Sequence, residues 1–183
     1  MSYLEGQALV ASPYLQDPNF LRAVIFIVRH NEEGAYGLII NRPTKMTVGE
    51  LLGHVLEREF ENTNPIHSGG PVDGPLAVLH QREDQADLKC ESGIFLSTEQ
   101  NKLTEVCEHP IGDYRVFDGY SGWGPQQLEE EIKNGGWLVW QPTSEEIFGD
   151  SEEIWHSAVR QIGRGIIAQG IDPLRIPDDP SAN

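Results

Sequence analysis

Basic side chains are scarce in this 183-residue chain: 13 Lys and Arg stand against 29 Asp and Glu, a formal net charge of −16. Nonspecific nucleic-acid binding needs several cations to displace counterions from phosphates, so this charge opposes it. It equally opposes adsorption to an anionic membrane surface. There are two cysteines, Cys90 and Cys107, without C-x-x-C spacing, too few for a disulfide framework. The longest strictly apolar run, Ala23 to Val28, is far short of the roughly 20 residues a membrane helix needs. Met1-Ser2-Tyr3-Leu4-Glu5 has neither a basic region nor an apolar stretch, so no signal peptide is readable and a cytoplasmic location is expected. None of the six histidines (His30, His54, His67, His80, His109, His156) lies in an H-E-x-x-H or H-x-x-E-H frame. No G-x-x-x-x-G-K-[ST] and no G-x-G-x-x-G is present. Neither a metal nor a cofactor is therefore expected. Gly119-Tyr120-Ser121-Gly122 only imitates a nucleophile elbow, because Trp123 stands where its second glycine belongs.

What is present suits one folded domain. Hydrophobic residues make up 38% and aromatics 8%, enough for a core, and the length is close to one domain of about 150 residues. Alternation and apolar runs predict strands at Gln7–Ala11, Ala23–Arg29, Gly37–Ile40, Leu76–Leu79, Ile94–Leu96, Arg115–Tyr120 and Trp137–Gln141. A helix capped by Thr47 carries Val48, Leu51, Leu52, Val55 and Leu56 on one face. A second runs over Thr98–Glu108 with Leu103, Val106 and Cys107 inward, where Cys107 reads as a small buried hydrophobe. A third opens at Pro125 and stops at Gly135-Gly136, its Glu129-Glu130-Glu131 run reading as a solvated face rather than a metal site. The fourth spans Ser151–Gln169, preceded by a capping box at Thr143-Ser144-Glu145-Glu146. Turn-rich connections near Asn41–Pro43 and Gly69–Pro75 leave no room for the crossover helices of a strictly parallel sheet. The expected fold is α+β: a single compact domain over residues 1–170, with mixed, largely antiparallel sheet flanked by about four helices. Residues 171–183 form a Pro/Asp-rich tail.

Three segments combine glycine or proline with polar or aromatic residues at strand exits. They are Asn41-Arg42-Pro43, Gly69-Gly70-Pro71, and Gly119-Tyr120-Ser121-Gly122-Trp123. Glycine admits close approach to the main chain, and turn amides can cradle an anion. Arg42 would supply charge, Asn41 an amide, and Tyr120 with Trp123 a flat wall, together a pocket for a small anionic or planar ligand. The competing reading is that these are tight turns for chain reversal, with Trp123 filling the core. His30 and His80 each end an apolar strand, where an imidazole bonds to a loop more readily than to zinc.

These residues carry a resemblance. Gly6 to Pro13, Phe20 to Val24 and Gly34 to Pro43, then Gly69-Gly70-Pro71-Val72 and Gly119 to Gly124 followed by Gln127 to Glu131, resemble the AlgH/YqgE family of bacterial proteins. Trp137-Leu138, Ile147-Phe148 and Trp155 continue the match, which covers roughly residues 3 to 168. The chain departs from that pattern at Ala23, Arg29 and Pro125-Gln126, the last in place of a residue-plus-glycine step. The resemblance implies a compact α+β domain and a regulatory function, since members carry the label of transcriptional regulators. It supplies no catalytic residues.

Three functions are weighed. The first is a non-enzymatic regulatory module binding an unknown small ligand or protein partner through the three segments. The second is an enzyme, a hydrolase or transferase without a recognised motif, using Ser121, His67 or His80. The third is a direct DNA-binding regulator, which the charge disfavours: the longest predicted helix bears only Arg160 and Arg164. The first is the expectation.

Overall fold

A computed structural model describes residues 3–15, 17–90 and 93–170. The first elements are β1 (Ala8–Ala11), β2 (Val24–Asn31), β3 (Gly34–Ile39), β4 (Pro43–Thr47) and α1 (Val48–Leu56). Then come β5 (Pro65–Ser68), β6 (Ala77–His80), β7 (Leu88–Lys89), β8 (Phe95–Ser97) and α2 (Gln100–Glu108). The chain continues through β9 (Tyr114–Asp118), β10 (Ser121–Trp123), α3 (Gln127–Lys133), β11 (Trp137–Trp140), α4 (Ser144–Ile147) and α5 (Ile154–Gly170).

The strands form two sheets. The first has the order β10-β3-β2-β1-β11 and is antiparallel throughout. The second has the order β4-β5-β9-β6-β8-β7, with β5 and β9 its one parallel pair. Burial explains the unbroken apolar run in β2. Val24, Phe26 and Val28 face a core shared with Ala77, Leu79 and Phe117 of the second sheet and with Ile154 and Ala158 of α5. Ile25 and Ile27 face an outer core with Trp123, Leu128 and Trp137. A third core lies where α1 and α2 set Val48, Leu52, Leu103 and Val106 over Ile66, Val78 and Val116. Cys107 belongs to this third core, as its place beside Leu103 predicts. The α+β class and the largely antiparallel pairing are as the pattern implies. No helix among the described residues is long and apolar enough to cross a membrane.

Several boundaries differ for physical reasons. The expected strand Arg115–Tyr120 breaks at Gly119, whose φ of 72° lets the chain leave the second sheet as β9 and enter the first as β10. Strand β4 has no alternation to betray it because nearly all of it is exposed at a sheet edge. Strand β5 is only four residues and begins with proline. Helix α3 begins at Gln127 rather than Pro125, because Gln126 adopts a left-handed φ of 62°. Helix α5 begins at Ile154, which leaves Ser151 in the preceding turn. Thr143 forms the capping box its spacing suggests, and Thr47 caps α1 as expected, with Glu50 completing a capping box there too. The tail from residue 171 lies outside the described residues.

Candidate functional site

The three glycine and proline segments serve mainly to join the sheets. Asn41 clamps the entry to β2: its Oδ1 accepts from the Val24 amide at 2.8 Å and its Nδ2 donates to the Arg22 carbonyl at 2.9 Å. Arg42 donates to the Leu21 carbonyl at 3.3 Å, and burial lowers the pKa of its guanidinium. Its own carbonyl accepts from the Ser68 amide at 2.9 Å, tying this segment to β5.

Gly69 and Gly70 pack directly on Gly119 and Tyr120. A Cβ at position 69 would overlap the Gly119 carbonyl oxygen, and one at 70 would overlap Tyr120 and the Ser121 hydroxyl. Val72 and Tyr120 exchange two backbone bonds beside this crossing. Pro71 and Gly122 are exposed, and the Tyr120 ring lies 5.0 Å from that of Tyr36. Ser121 is sealed, its hydroxyl donating to the Gly69 carbonyl at 3.2 Å. Trp123 is also enclosed, with Phe20 and Trp137 beside it and its indole N–H on Glu131 at 2.9 Å.

The shared hollow expected of these segments is not what the packing makes. Of the five main concavities, one is lined by Pro43 and another by Trp123, and none by members of two segments. The space a ligand would need is filled by backbone meeting backbone.

The acidic run also differs from a purely solvated face. Glu131 Oε2 accepts both indole N–H groups, from Trp123 at 2.9 Å and from Trp137 at 2.8 Å. Glu129 meets His30 Nε2 at 3.1 Å, and of the three glutamates only Glu130 is exposed. His30 Nδ1 accepts from the Leu4 amide, and His80 Nδ1 from the Arg82 amide, so both imidazoles bond to loops as their positions suggest. Burial pushes the thiols of Cys90 and Cys107 up to about 12, which leaves both inert as nucleophiles at neutral pH.

The roomiest of these five concavities lies elsewhere. A cleft of about 710 Å³ opens between the edge formed by Pro43, Pro65 and His67, the Asp113–Val116 stretch, and the Asp150–Glu152 turn before α5. At its floor are two buried side chains, His67 and Arg115. The parallel pairing of β5 with β9 puts them on adjacent strands of the second sheet. Arg115 donates to the Ile40 carbonyl and to the Gly149 carbonyl, reaching both the first sheet and the α4–α5 turn.

Its pKa is pushed down to about 10 by burial, opposed by Asp113 and Asp150, so it stays cationic at neutral pH. No carboxylate pairs with it among the described residues. His67 Nε2 lies 3.3 Å from the half-buried Ser151 hydroxyl. Its Nδ1 is sealed and has no properly directed partner. Burial first, then the Arg115 charge, push its pKa down to about 4, opposed by the Pro65 carbonyl. The imidazole is neutral at pH 7. Around the rim, Asp113, Asp150 and Glu152 are exposed.

The arrangement presents a buried cation and a half-buried hydroxyl in the same cleft as three exposed carboxylates. Sequence reasoning named His67 only as an enzyme candidate and passed over Arg115 and Ser151. Ser151 lies 84 positions from its partner, beyond any local pattern. Arg115 did leave a signal: it is a charge inside the otherwise apolar run Tyr114-Arg115-Val116-Phe117.

Residues 8–166 match the AlgH-like family model. A UPF0301 protein from Myxococcus xanthus is 37% identical over 174 residues, 89% of this chain and 93% of that protein. Another from Streptomyces coelicolor is 35% identical over all of this chain and 97% of its own length. The solution structure of the AlgH protein from Pseudomonas aeruginosa superposes with a TM-score of 0.68 at 27% identity, covering 93% of this chain and 91% of that one. A crystal structure of a protein from Corynebacterium diphtheriae has a TM-score of 0.72 at 21% identity, over 88% of each chain, and shares the fold.

Proposed function

The chain belongs to the AlgH-like family, and on that premise we propose that it is a non-enzymatic regulatory module that binds a small ligand in the His67–Arg115 cleft. One observation carries this reading. Arg115 is a buried cation on the floor of an open cleft, and its protein partners are neutral carbonyls. Buried charges are ordinarily paired, because the desolvation penalty is several kcal/mol even after relaxation. The segments singled out in the sequence act here as framework. Pro43 lines the cleft directly, the Arg42 carbonyl accepts from the amide of Ser68, next to His67, and the Gly69 amide donates to the Asp118 carbonyl.

The enzyme alternative has weaker support. Ser121 is sealed, and His80 has both ring nitrogens bonded, to Arg82 and Ser97. His67 is too weak a base to activate Ser151 well at neutral pH. A regulatory role through direct DNA contact is opposed by the net charge of −16.

The test is a thermal-shift screen against representative amines, carboxylates, zwitterions and sugars, repeated with Glu152→Trp. Glu152 is exposed at the rim, so a tryptophan there blocks the mouth without entering the core. At least one compound should raise Tm in the wild type and not in the variant. If no compound does so, or if every hit survives the substitution, the cleft is not the binding site.

A further inference from the structure

The cleft's charge layout narrows the chemistry of what it takes. Resting on the binding reading above, we propose that the ligand is a small zwitterion, with its carboxylate seated at Arg115 and Ser151 and its ammonium group at the Asp113–Asp150–Glu152 rim.

The floor selects an anion. Arg115 uses two of its N–H groups on the Ile40 and Gly149 carbonyls, and its remaining donors have no acceptor among the described residues. Each terminal nitrogen keeps one N–H unspent, and such charged donors suit a carboxylate oxygen. The Ser151 hydroxyl lies beside it, 3.3 Å from His67 Nε2; with the proton on Nε2 the imidazole donates to Ser151, whose own hydrogen then serves an incoming oxygen. His67 adds no second positive charge, being neutral.

The rim selects against an anion alone. Three exposed carboxylates line the same cleft as this single cation, so a doubly charged phosphate is repelled more than it is held. A carboxylate joined to an ammonium group a few bonds away satisfies both levels at once. The volume of about 710 Å³ falls within the range of small-molecule pockets, about 300–1,000 Å³, and accommodates a dipeptide-sized molecule.

The experiment compares three probes on the wild-type protein by ¹H–¹⁵N chemical-shift titration: L-alanyl-L-alanine, its N-acetyl derivative, and its C-terminal amide. Each blocked probe lacks one of the two charges. The unblocked dipeptide should bind at least about tenfold more tightly than either, with the largest shifts at Ser151, Gly112 and Arg115. Inorganic phosphate at equal concentration should not compete. In Glu152→Gln, which only neutralises an exposed rim group, the preference for the dipeptide over its N-acetyl form should shrink. Arg115→Lys keeps the charge but loses the additional guanidinium donors, and should weaken dipeptide binding in protein whose far-UV spectrum is unchanged.

Equal affinity for the three probes, binding of none of them, or competition by phosphate overturns the zwitterion assignment. If the thermal-shift screen still gives a hit from another class that Glu152→Trp abolishes, only this inference falls. If no hit is sensitive to that substitution, the binding reading falls with it.

Discussion

Replacing His67 by leucine should leave the protein about as stable as it began, although the residue is only 4% exposed. Two losses oppose one gain. The bond from Nε2 to Ser151 is 3.3 Å long and is worth about 0.5–1.5 kcal/mol, and Ser151 can turn to water in the cleft. Filling the space with a differently shaped side chain costs less than about 1.5 kcal/mol. Against this, the sealed Nδ1, which has no properly directed partner, is removed, and this returns about 1–3 kcal/mol. The midpoints of these ranges cancel to within about 1 kcal/mol.

His80 provides the matched control. It is 1% exposed, and its pKa is likewise pushed to about 4 by burial and by a neighbouring arginine, Arg82. The difference is that both nitrogens are bonded, to the Arg82 amide at 3.1 Å and to the Ser97 hydroxyl at 2.9 Å. Leucine there strands a buried amide and loses two bonds, a cost of about 2–4 kcal/mol. Urea denaturation at pH 7 followed by far-UV circular dichroism separates the two cases, by about 1 M in midpoint for an m-value of 1–3 kcal/mol/M. If His67→Leu destabilises as much as His80→Leu, then Nδ1 is satisfied and the reasoning fails.

Other outcomes follow from the same packing. Both buried histidines have folded pKa values near 4, below the 6.5 of the unfolded chain, so the unfolded state binds more protons between those values. Stability at pH 7 should therefore be lost as pH falls from 6.5 towards 4, and His67→Leu should flatten part of that slope; an unchanged slope contradicts the burial. Gln126→Gly relieves a left-handed backbone at an exposed position and should add about 0.5–1 kcal/mol in the same urea assay, whereas a loss would mean its side chain has an unseen role. Glu131→Ala leaves two buried indole N–H groups without an acceptor and should cost about 2–5 kcal/mol, while Glu131→Gln retains an oxygen and should cost less than half of that. Gly69→Ala meets the Gly119 carbonyl and should lower Tm by ten degrees or more or prevent folding, on the order of 3 kcal/mol or greater; a wild-type Tm would show that the sheet crossing yields.

How much of this was legible in the residues depended on range. The unbroken Ala23–Val28 run announces a strand covered on both faces, and the Thr47 cap and the Thr143 capping box announce their helices, because each signal lies within a few positions. Strand β4 was invisible because an exposed edge leaves no alternation. The glycine segments mark places where the main chain admits a close neighbour, but nothing local to them says which neighbour. Gly69 and Gly119 are 50 residues apart and meet each other rather than a ligand. The acidic run concealed its inward members for the same reason, since Trp123 and Trp137 reach Glu131 from two different strands. The cleft draws on β5, β9 and the turn before α5, three places that only the parallel β5–β9 pairing and the fold of the last helix bring together.

The most direct measurement is the imidazole titration of His67 itself, by long-range ¹H–¹⁵N correlation on histidine-labelled protein with and without L-alanyl-L-alanine. In the free protein the His67 ring should remain neutral at pH 5.5, held there by burial and by Arg115. A bound carboxylate masks that neighbouring charge, so saturating dipeptide should move the titration upward. A His67 ring that is half-protonated near pH 6.5 in the free protein, or whose titration ignores saturating dipeptide, would contradict the cleft as described.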